Sequence, residues 1–299
     1  MIDLHSHTTA SDGSCAPEDL IRHAAGLGLE ALAITDHDTL DGYDAALPFA
    51  QAAGLDLICG VELSTKFRGR TVHLLGYFLQ QMPTQDFRDW LRIGQESRRD
   101  RNRRLIERLQ SLGVDITLAE VQAIGRTQTG RPHFARIMLQ KGYVSSLQQA
   151  FDEFLDVAAK GYVERQEPKI EEGIQRILDS GGLPSLAHPV RVAENEVRGR
   201  HEEMITVMAE FGLRAVEVYH SDHGPREVAR YRGIAERLQL EMTGGSDFHG
   251  DVKPKIRLGH GRDGNLNIPR AVLDRLRQVR IPVPASDTAP VFDSFPITV

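Results

Sequence analysis

The sequence predicts an α/β fold: a mainly parallel sheet covered by helices, either a barrel or an open sheet, with a small all-helical unit inserted. Three observations lead there. The first 80 residues alternate short β-like runs with helical patterns. The same alternation returns after residue 165. Between them, from about residue 84 to 154, the patterns are helical with no convincing strand.

Taken in order, residues 1–4 read as the first strand. Residues 17–27 follow as a helix, since Pro17 suits a first turn and Leu20, Ile21, Ala24 and Leu27 recur at helical spacing. Residues 31–35 form a second strand, and 43–53 a helix closed by Gly54 in a C-cap position. Residues 55–60 and 71–78 are further strands. In the middle, 95–112 is a long arginine-rich helix, and 118–124, 132–141 and 146–155 are shorter ones. Past residue 165, a helix over 171–180 ends at Gly181-Gly182. Strands over 183–187, 215–219 and 241–244 then alternate with helices over 202–211, 226–238 and 269–279. The expected division is a first sheet portion over 1–95, a helical insertion over 96–165, a second sheet portion over 166–282 and a tail over 283–299. That tail is rich in proline, serine and aspartate and is expected to be loosely held.

Composition narrows the class. Hydrophobic residues make up 40% and charged residues 26% of 299, the balance of a soluble globular protein and not of a collagen-like, mucin-like or disordered chain. Two cysteines do not staple a fold of this size. No apolar run approaches the roughly 18 residues of a membrane span. The opening MIDLHSHTTASDG has no basic segment followed by an apolar core, so the expected compartment is the cytoplasm, with no membrane partner. A net charge of −6 argues against tight, non-specific binding to long nucleic acid. It leaves room for a small phosphorylated substrate in a local basic pocket. Nothing points to an obligate protein partner.

The twelve histidines carry the main signal. His5 and His7 follow the first strand, and residues two apart on an extended chain face the same way. Asp12 comes next, in a loop. Thr35-Asp36-His37-Asp38 ends the second strand, Glu62 sits just past the third, and His73 lies in the fourth. His188 ends the strand over 183–187, and Asp247 and His249 follow the last strand. One such residue would be an ordinary core or surface histidine, or a helix cap. Nine imidazoles and carboxylates, nearly all at strand ends, converge on one mouth in a parallel α/β fold. A nitrogen and oxygen donor set without thiolate suits Mn(II), Fe(II) or Zn(II). Nine donors exceed one tetrahedral site and suffice for two or three ions. Clustered divalent ions suit phosphate ester cleavage.

The run His5-x-His7, Asp12, Thr35-Asp36-His37, Glu62, His73, His188 and Asp247-x-His249 resembles the polymerase-and-histidinol-phosphatase (PHP) family. The resemblance covers residues 1–80 and about 165–260. It implies a distorted seven-stranded (β/α) barrel with a trinuclear metal centre at its mouth, Mn(II) being the first choice of ion. It further implies one ion on His7, Glu62 and Asp247 with His5, a second on Glu62, His73 and His188, and a third on Asp12, His37 and His249. His7, Asp247 and His188 are the expected catalytic residues. The insertion, with Gly130-Arg131-Pro132-His133-Phe134-Ala135, resembles a branch of bacterial nucleotide-acting members. These include nucleoside 3′,5′-bisphosphate phosphatases, which convert pAp to AMP and phosphate by attack of a metal-bridged hydroxide. They also include 5′–3′ exoribonucleases that trim short RNA. A histidinol-phosphate phosphatase, an amidohydrolase and a non-catalytic metal-binding module are the other readings.

Outside the donor set, Arg131, His133, Arg191 and His220 are candidate substrate contacts. An arginine fork matches phosphate oxygens, and a helix N-terminus also favours anions. The alternative is that Arg131 and His133 are merely solvated at a helix start. The run from Arg98 to Arg104 is expected to be a solvated helix face with i,i+4 pairs.

Overall fold

The computed structural model describes residues 1–125, 129–192 and 201–281; the sequence-predicted tail over 283–299 lies outside them. Seven strands form one sheet in chain order: β1 (Ile2–Asp3), β2 (Ala31–Ile34), β3 (Asp56–Phe67), β4 (Arg70–Phe78), β5 (Leu183–Leu186), β6 (Ala215–His220) and β7 (Glu241–Gly245). The two ends of the sheet meet. Leu4 N–H donates to Gly244 O at 3.1 Å, Asp247 N–H to His5 O at 2.8 Å and His7 N–H to Phe248 O at 2.9 Å. The result is the expected barrel.

The expectation of a strand ending at residue 60 is corrected. β3 runs on to Phe67, so Glu62 lies within it, and a two-residue turn at Arg68-Gly69 returns the chain as β4. Both turn residues have positive φ, 48° and 79°, the backbone of a tight hairpin whose twist matches its strands. β4 is therefore antiparallel to both β3 and β5 in a sheet otherwise parallel. This reversal puts the beginning of β4, with His73, at the mouth where the other strands end.

Helices α1 (Pro17–Gly26), α2 (Asp41–Ala53), α7 (Ile170–Asp179), α8 (His201–Glu210) and α9 (Pro225–Arg237) follow strands or lead into them, and α10 (Arg270–Leu276) ends the described chain. Leu20, Ile34, Val61, Leu74, Ile174, Val216 and Ile234 belong to one buried apolar cluster between sheet and helices. Period-two alternation then turns Glu62 and His73 to the opposite face from Val61 and Leu74.

The insertion comprises α3 (Gln85–Ser111), α4 (Leu118–Gly125), α5 (Arg131–Gln140) and α6 (Leu147–Ala150), the last continued by one π turn over Phe151–Leu155. α3 starts ten residues before the sequence-predicted helix, at an N-cap Thr84 whose hydroxyl accepts the Phe87 N–H. Its first turns bury Phe87 and Leu91 on the barrel core. Its last turns bury Leu105, Ile106 and Leu109 in a separate core with Val121, Phe134, Met138 and Leu155. One rigid helix thus joins the two cores, and its middle spans the barrel mouth.

Candidate metal centre and adjoining cavity

The chain leaves each strand at the mouth and presents its donor there. Glu62 is the hub. Its Oε1 lies 2.9 Å from His73 Nδ1 and 2.8 Å from His188 Nε2. Its Oε2 lies 3.2 Å from His5 Nε2, 3.1 Å from His7 Nε2 and 3.4 Å from His37 Nδ1. Asp247 Oδ1 closes the first group, 3.3 Å from His7 Nε2. Asp12 Oδ1 sits 3.3 Å from His249 Nε2, and Asp12 Oδ2 3.8 Å from His37 Nε2. All nine donors expected from the sequence stand together. Among the described residues four groups are compact enough for one ion: His5, His7, Glu62 and Asp247; His37, Glu62 and His73; His7, Asp12, His37 and His249; and His5, Glu217 and His220.

These donors fit divalent ions on structural grounds. His7 Nε2 and His37 Nδ1 are buried and make no hydrogen bond despite their closeness to Glu62. Donors held about 2.0–2.2 Å from one ion stand roughly 3.0–3.5 Å apart, the spacing seen here. The charges are also shared tightly. Burial opposes a proton on His7, yet the carboxylates of Asp247, Glu62 and Asp12 beside it raise it to about 9. Burial would raise Glu62, but His37, His73 and His5 hold it well below the usual carboxylate range. Burial keeps His188 at about 3, so it offers a neutral nitrogen.

The surrounding shell is built to hold these donors still. Asp36 accepts the Thr8 N–H at 2.7 Å and the Thr8 hydroxyl at 2.6 Å, fixing the loop that carries Asp12. Asp38, His188 and Asp247 adopt positive φ of 52°, 26° and 57°, strained backbone concentrated at the site. Asp38 Oδ2 accepts from Arg98 and, at 3.0 Å, from Arg165. That pair of bonds ties α3 and the strand-like return from the insertion to the mouth.

Sequence reasoning missed two groups. Glu217 in β6 is fully buried, and its Oε1 lies 2.9 Å from His5 Nδ1. A lone carboxylate inside the apolar strand sequence Ala215-Val216-Glu217-Val218 was the available signal. Lys253 Nζ contacts Asp247 Oδ2 at 2.8 Å. Of the candidate substrate contacts, Arg191 Nη1 also reaches Asp247 Oδ2 at 2.8 Å and is otherwise engaged by Asp222. His220 Nδ1 accepts the Asp222 N–H at 3.0 Å, so its proton sits on Nε2, 3.6 Å from Asp247 Oδ2. This tautomer is assigned from the hydrogen bonds. His133 is buried, accepts the Gly130 N–H on Nδ1 at 3.0 Å, caps α5 and feels the charge of Asp12. It is therefore not solvated.

A cavity of about 230 Å³ opens from Asp12, His37 and His73 toward the insertion. Arg98, Arg101, Arg131 and Arg165 line it, with Phe151 and Tyr162. The expectation of a solvated arginine face is corrected in part. Arg99, Arg103 and Arg104 are exposed, whereas Arg101 and Asn102 are buried and Arg98 is half-buried. The reason is that α3 docks across the mouth, a contact that its own periodicity does not reveal.

Comparison with known proteins agrees with this geometry. The PHP domain family model matches residues 3–168. The chain is 34% identical over 260 residues to the 5′-3′ exoribonuclease Rnm of Escherichia coli, covering 86% of this chain and 87% of that protein. It is 29% identical over 271 residues to the 3′,5′-nucleoside bisphosphate phosphatase of Chromobacterium violaceum, covering 88% and 92%. A solved Bifidobacterium adolescentis structure, described as a proposed metal-dependent phosphoesterase, superposes with a TM-score of 0.76 at 31% identity, covering 92% and 96%. The chain belongs to the PHP family and is a metal-dependent phosphoesterase.

Proposed function

We propose that this PHP-family phosphoesterase removes the 3′-phosphate of nucleoside 3′,5′-bisphosphates, converting pAp to AMP and phosphate. The observation that carries this reading is that the donor cluster and the arginine-lined cavity are one continuous space. One phosphate group can lie at the cluster while a second lies among guanidinium groups. The names of the relatives from Chromobacterium violaceum and Escherichia coli support nucleotide substrates.

His5, His7, Glu62 and Asp247 would hold a first ion, Glu62, His73 and His188 a second, and Asp12, His37 and His249 a third. Mn(II) is the first choice, with Fe(II) or Zn(II) compatible with the same donors. Such ions, when bound, lower the pKa of water and neutralise phosphoryl oxygens. The chain itself supplies orientation. Glu217 aims His5, and Lys253 and Arg191 hold the outer oxygen of Asp247. His220 Nε2–H, 3.6 Å from Asp247 Oδ2, would be the proton donor to a departing oxygen. Arg131 stands at the remote phosphate, with Phe151 and Tyr162 offering faces to a base. The proposed setting is the cytoplasm.

A second reading, 5′–3′ trimming of short RNA, has its own observation. Arg98 also borders an adjoining groove with Gln95, Arg99, Asn102, Arg103 and Gln122, whose guanidinium groups suit the phosphodiester of a following nucleotide. The test is phosphate release by the Mn(II)-loaded protein from pAp, 3′-AMP, AMP and histidinol phosphate, with a 5′-phosphorylated RNA trimer alongside. Fast conversion of pAp to AMP with slow trimming supports the bisphosphate reading. Faster trimming from the 5′ end replaces it with the second.

A further inference from the structure

Three of the four cavity arginines have partners. Arg98 and Arg165 share Asp38, and Arg165 also approaches Glu167 at 3.7 Å. Arg131 Nη1 donates to Leu155 O at 3.2 Å. Arg101 differs. It is only 5% exposed, its Nε makes no hydrogen bond, and it pairs with no carboxylate among the described residues. Burial, then Arg98, Arg131 and Arg165, pull its proton affinity down to about 9, so it stays charged at neutral pH. Glu167 is the counter-charge it feels, more weakly than any of those three arginines.

A buried, unpaired cation is costly, and such a group persists where a ligand supplies the missing charge. The cavity's four guanidinium groups and Lys66 face three carboxylates, Asp38, Glu167 and Glu164, leaving two positive charges uncompensated away from the donor cluster. A terminal phosphate monoester carries close to two negative charges at pH 7, whereas an internal diester carries one. Arg101 lies one turn beyond Arg98 on the inner face of α3, so a rigid element presents it.

We propose that Arg101 is the specificity-determining anchor for the substrate's non-reacting terminal phosphate, holding that dianion in the cavity while the ester to be cut lies at the donor cluster. This rests on the phosphoesterase reading above. It assigns the selection of 5′-phosphorylated substrates to one side chain, whether the substrate is a mononucleotide or a short RNA.

The test uses Arg101→Met, which removes the charge and keeps an apolar stem, with Arg101→Lys as a second variant that keeps the charge without the fork. The first readout needs no turnover: thermal unfolding of the metal-free full chain with and without sulfate as a dianion probe. Without sulfate, Arg101→Met is expected to unfold at or above the wild-type midpoint, since an unpaired buried charge is gone. Sulfate should raise the wild-type midpoint, Arg101→Lys less, and Arg101→Met least. The second readout is kcat/KM on pAp and on 3′-AMP, which lacks the 5′-phosphate. Arg101→Met should lose about 100-fold on pAp, chiefly in KM, and far less on 3′-AMP. Equal losses on both substrates, or an undiminished sulfate shift in both variants, overturn the proposal. A wild type that cuts neither nucleotide defeats the functional reading instead, and the sulfate series still decides the anchor.

Discussion

Glu217 Oε1 accepts the Nδ1 proton of His5 at 2.9 Å, and its Oε2 accepts the backbone N–H of His188 at 2.7 Å. One buried carboxylate thereby sets the tautomer of one donor and the backbone position of another. With Nδ1 committed to Glu217, Nε2 is the nitrogen that His5 turns toward Glu62 and Asp247 and would offer to a metal ion. Carboxylates in this position raise ligand basicity, and losing them typically costs 10–100-fold in metal affinity. Glu217→Gln should keep the fold by circular dichroism and weaken Mn(II) binding by about that factor. An unchanged metal titration would show that the hydrogen bond is incidental.

His7 belongs to two of the compact donor groups, with Glu62 and Asp247 in one and Asp12, His37 and His249 in the other. Its removal therefore damages both. His7→Asn is expected to lower phosphate release by orders of magnitude and to reduce the metal retained after dialysis, with little change in the unfolding midpoint of the metal-free chain. Asp247→Asn should behave alike. Near-wild-type turnover in either variant would remove these residues from the metal centre.

Much of this centre was legible because parallel strands deliver their following residues to one mouth, so His5, His7, His37, His188 and His249 could be grouped by position after a strand. His73 joins this group by a different geometry, since β4 runs backwards and carries it near its start. The hairpin was illegible because Arg68-Gly69 is a weaker turn signal than Asn-Gly. Glu217 was hidden because period-two patterning reports which face a residue takes, not what occupies the space beyond. Arg101 was hidden for a related reason: helical spacing separates it from Arg99 and Arg103, but only docking of α3 decides which side is inside.

Asp38 is the single carboxylate shared by Arg98 and Arg165, and Ser64 N–H donates to its other oxygen at 2.8 Å. Arg165 lies in the return segment from the insertion and is itself buried, between the exposed Glu164 and Gln166. Removing one member of a buried charge network leaves the others uncompensated, at a cost of about 3–5 kcal/mol. Asp38→Ala should lower the urea midpoint accordingly and expose the segment around Arg165 to limited proteolysis before the barrel unfolds. Unaltered protease resistance would mean that the insertion is held by other contacts.

His223 is buried behind the site, donating from Nδ1 to Val218 O at 2.9 Å, its ring tilted against Tyr231 with centroids 4.9 Å apart. Burial, then the neighbouring His220, holds it at about 4, below its ordinary 6.5. The sign follows from which state binds the proton first. Above pH 6.5 both states are neutral and the contribution is whole. As the pH falls toward 4 the unfolded chain is protonated first, and about 3 kcal/mol of stability is lost. Comparing wild type with His223→Gln at pH 7 and pH 4 isolates this group, because every other titration is common to both. The wild type should lose more stability than the variant over that window, and parallel pH profiles would show that His223 does not contribute.

Gly245 ends β7 where the sheet closes on β1. A Cβ there would come within 2.2 Å of His5 N and 2.3 Å of His5 Cβ, contacts no rotamer change relieves because one is backbone. The seam carries the Asp247 N–H to His5 O bond and so sets the distance between two donors. Gly245→Ala must separate β1 from β7. The expected cost is about 2–3 kcal/mol of stability, and the larger effect should fall on the metal centre, since His5 and Asp247 sit on opposite sides of the opened seam. Metal affinity should therefore drop further than for Ala substitution at the half-buried Gly94, where a Cβ meets nothing within 4 Å. If Gly245→Ala binds Mn(II) as the wild type does, closure of the barrel is not what fixes the first ion site.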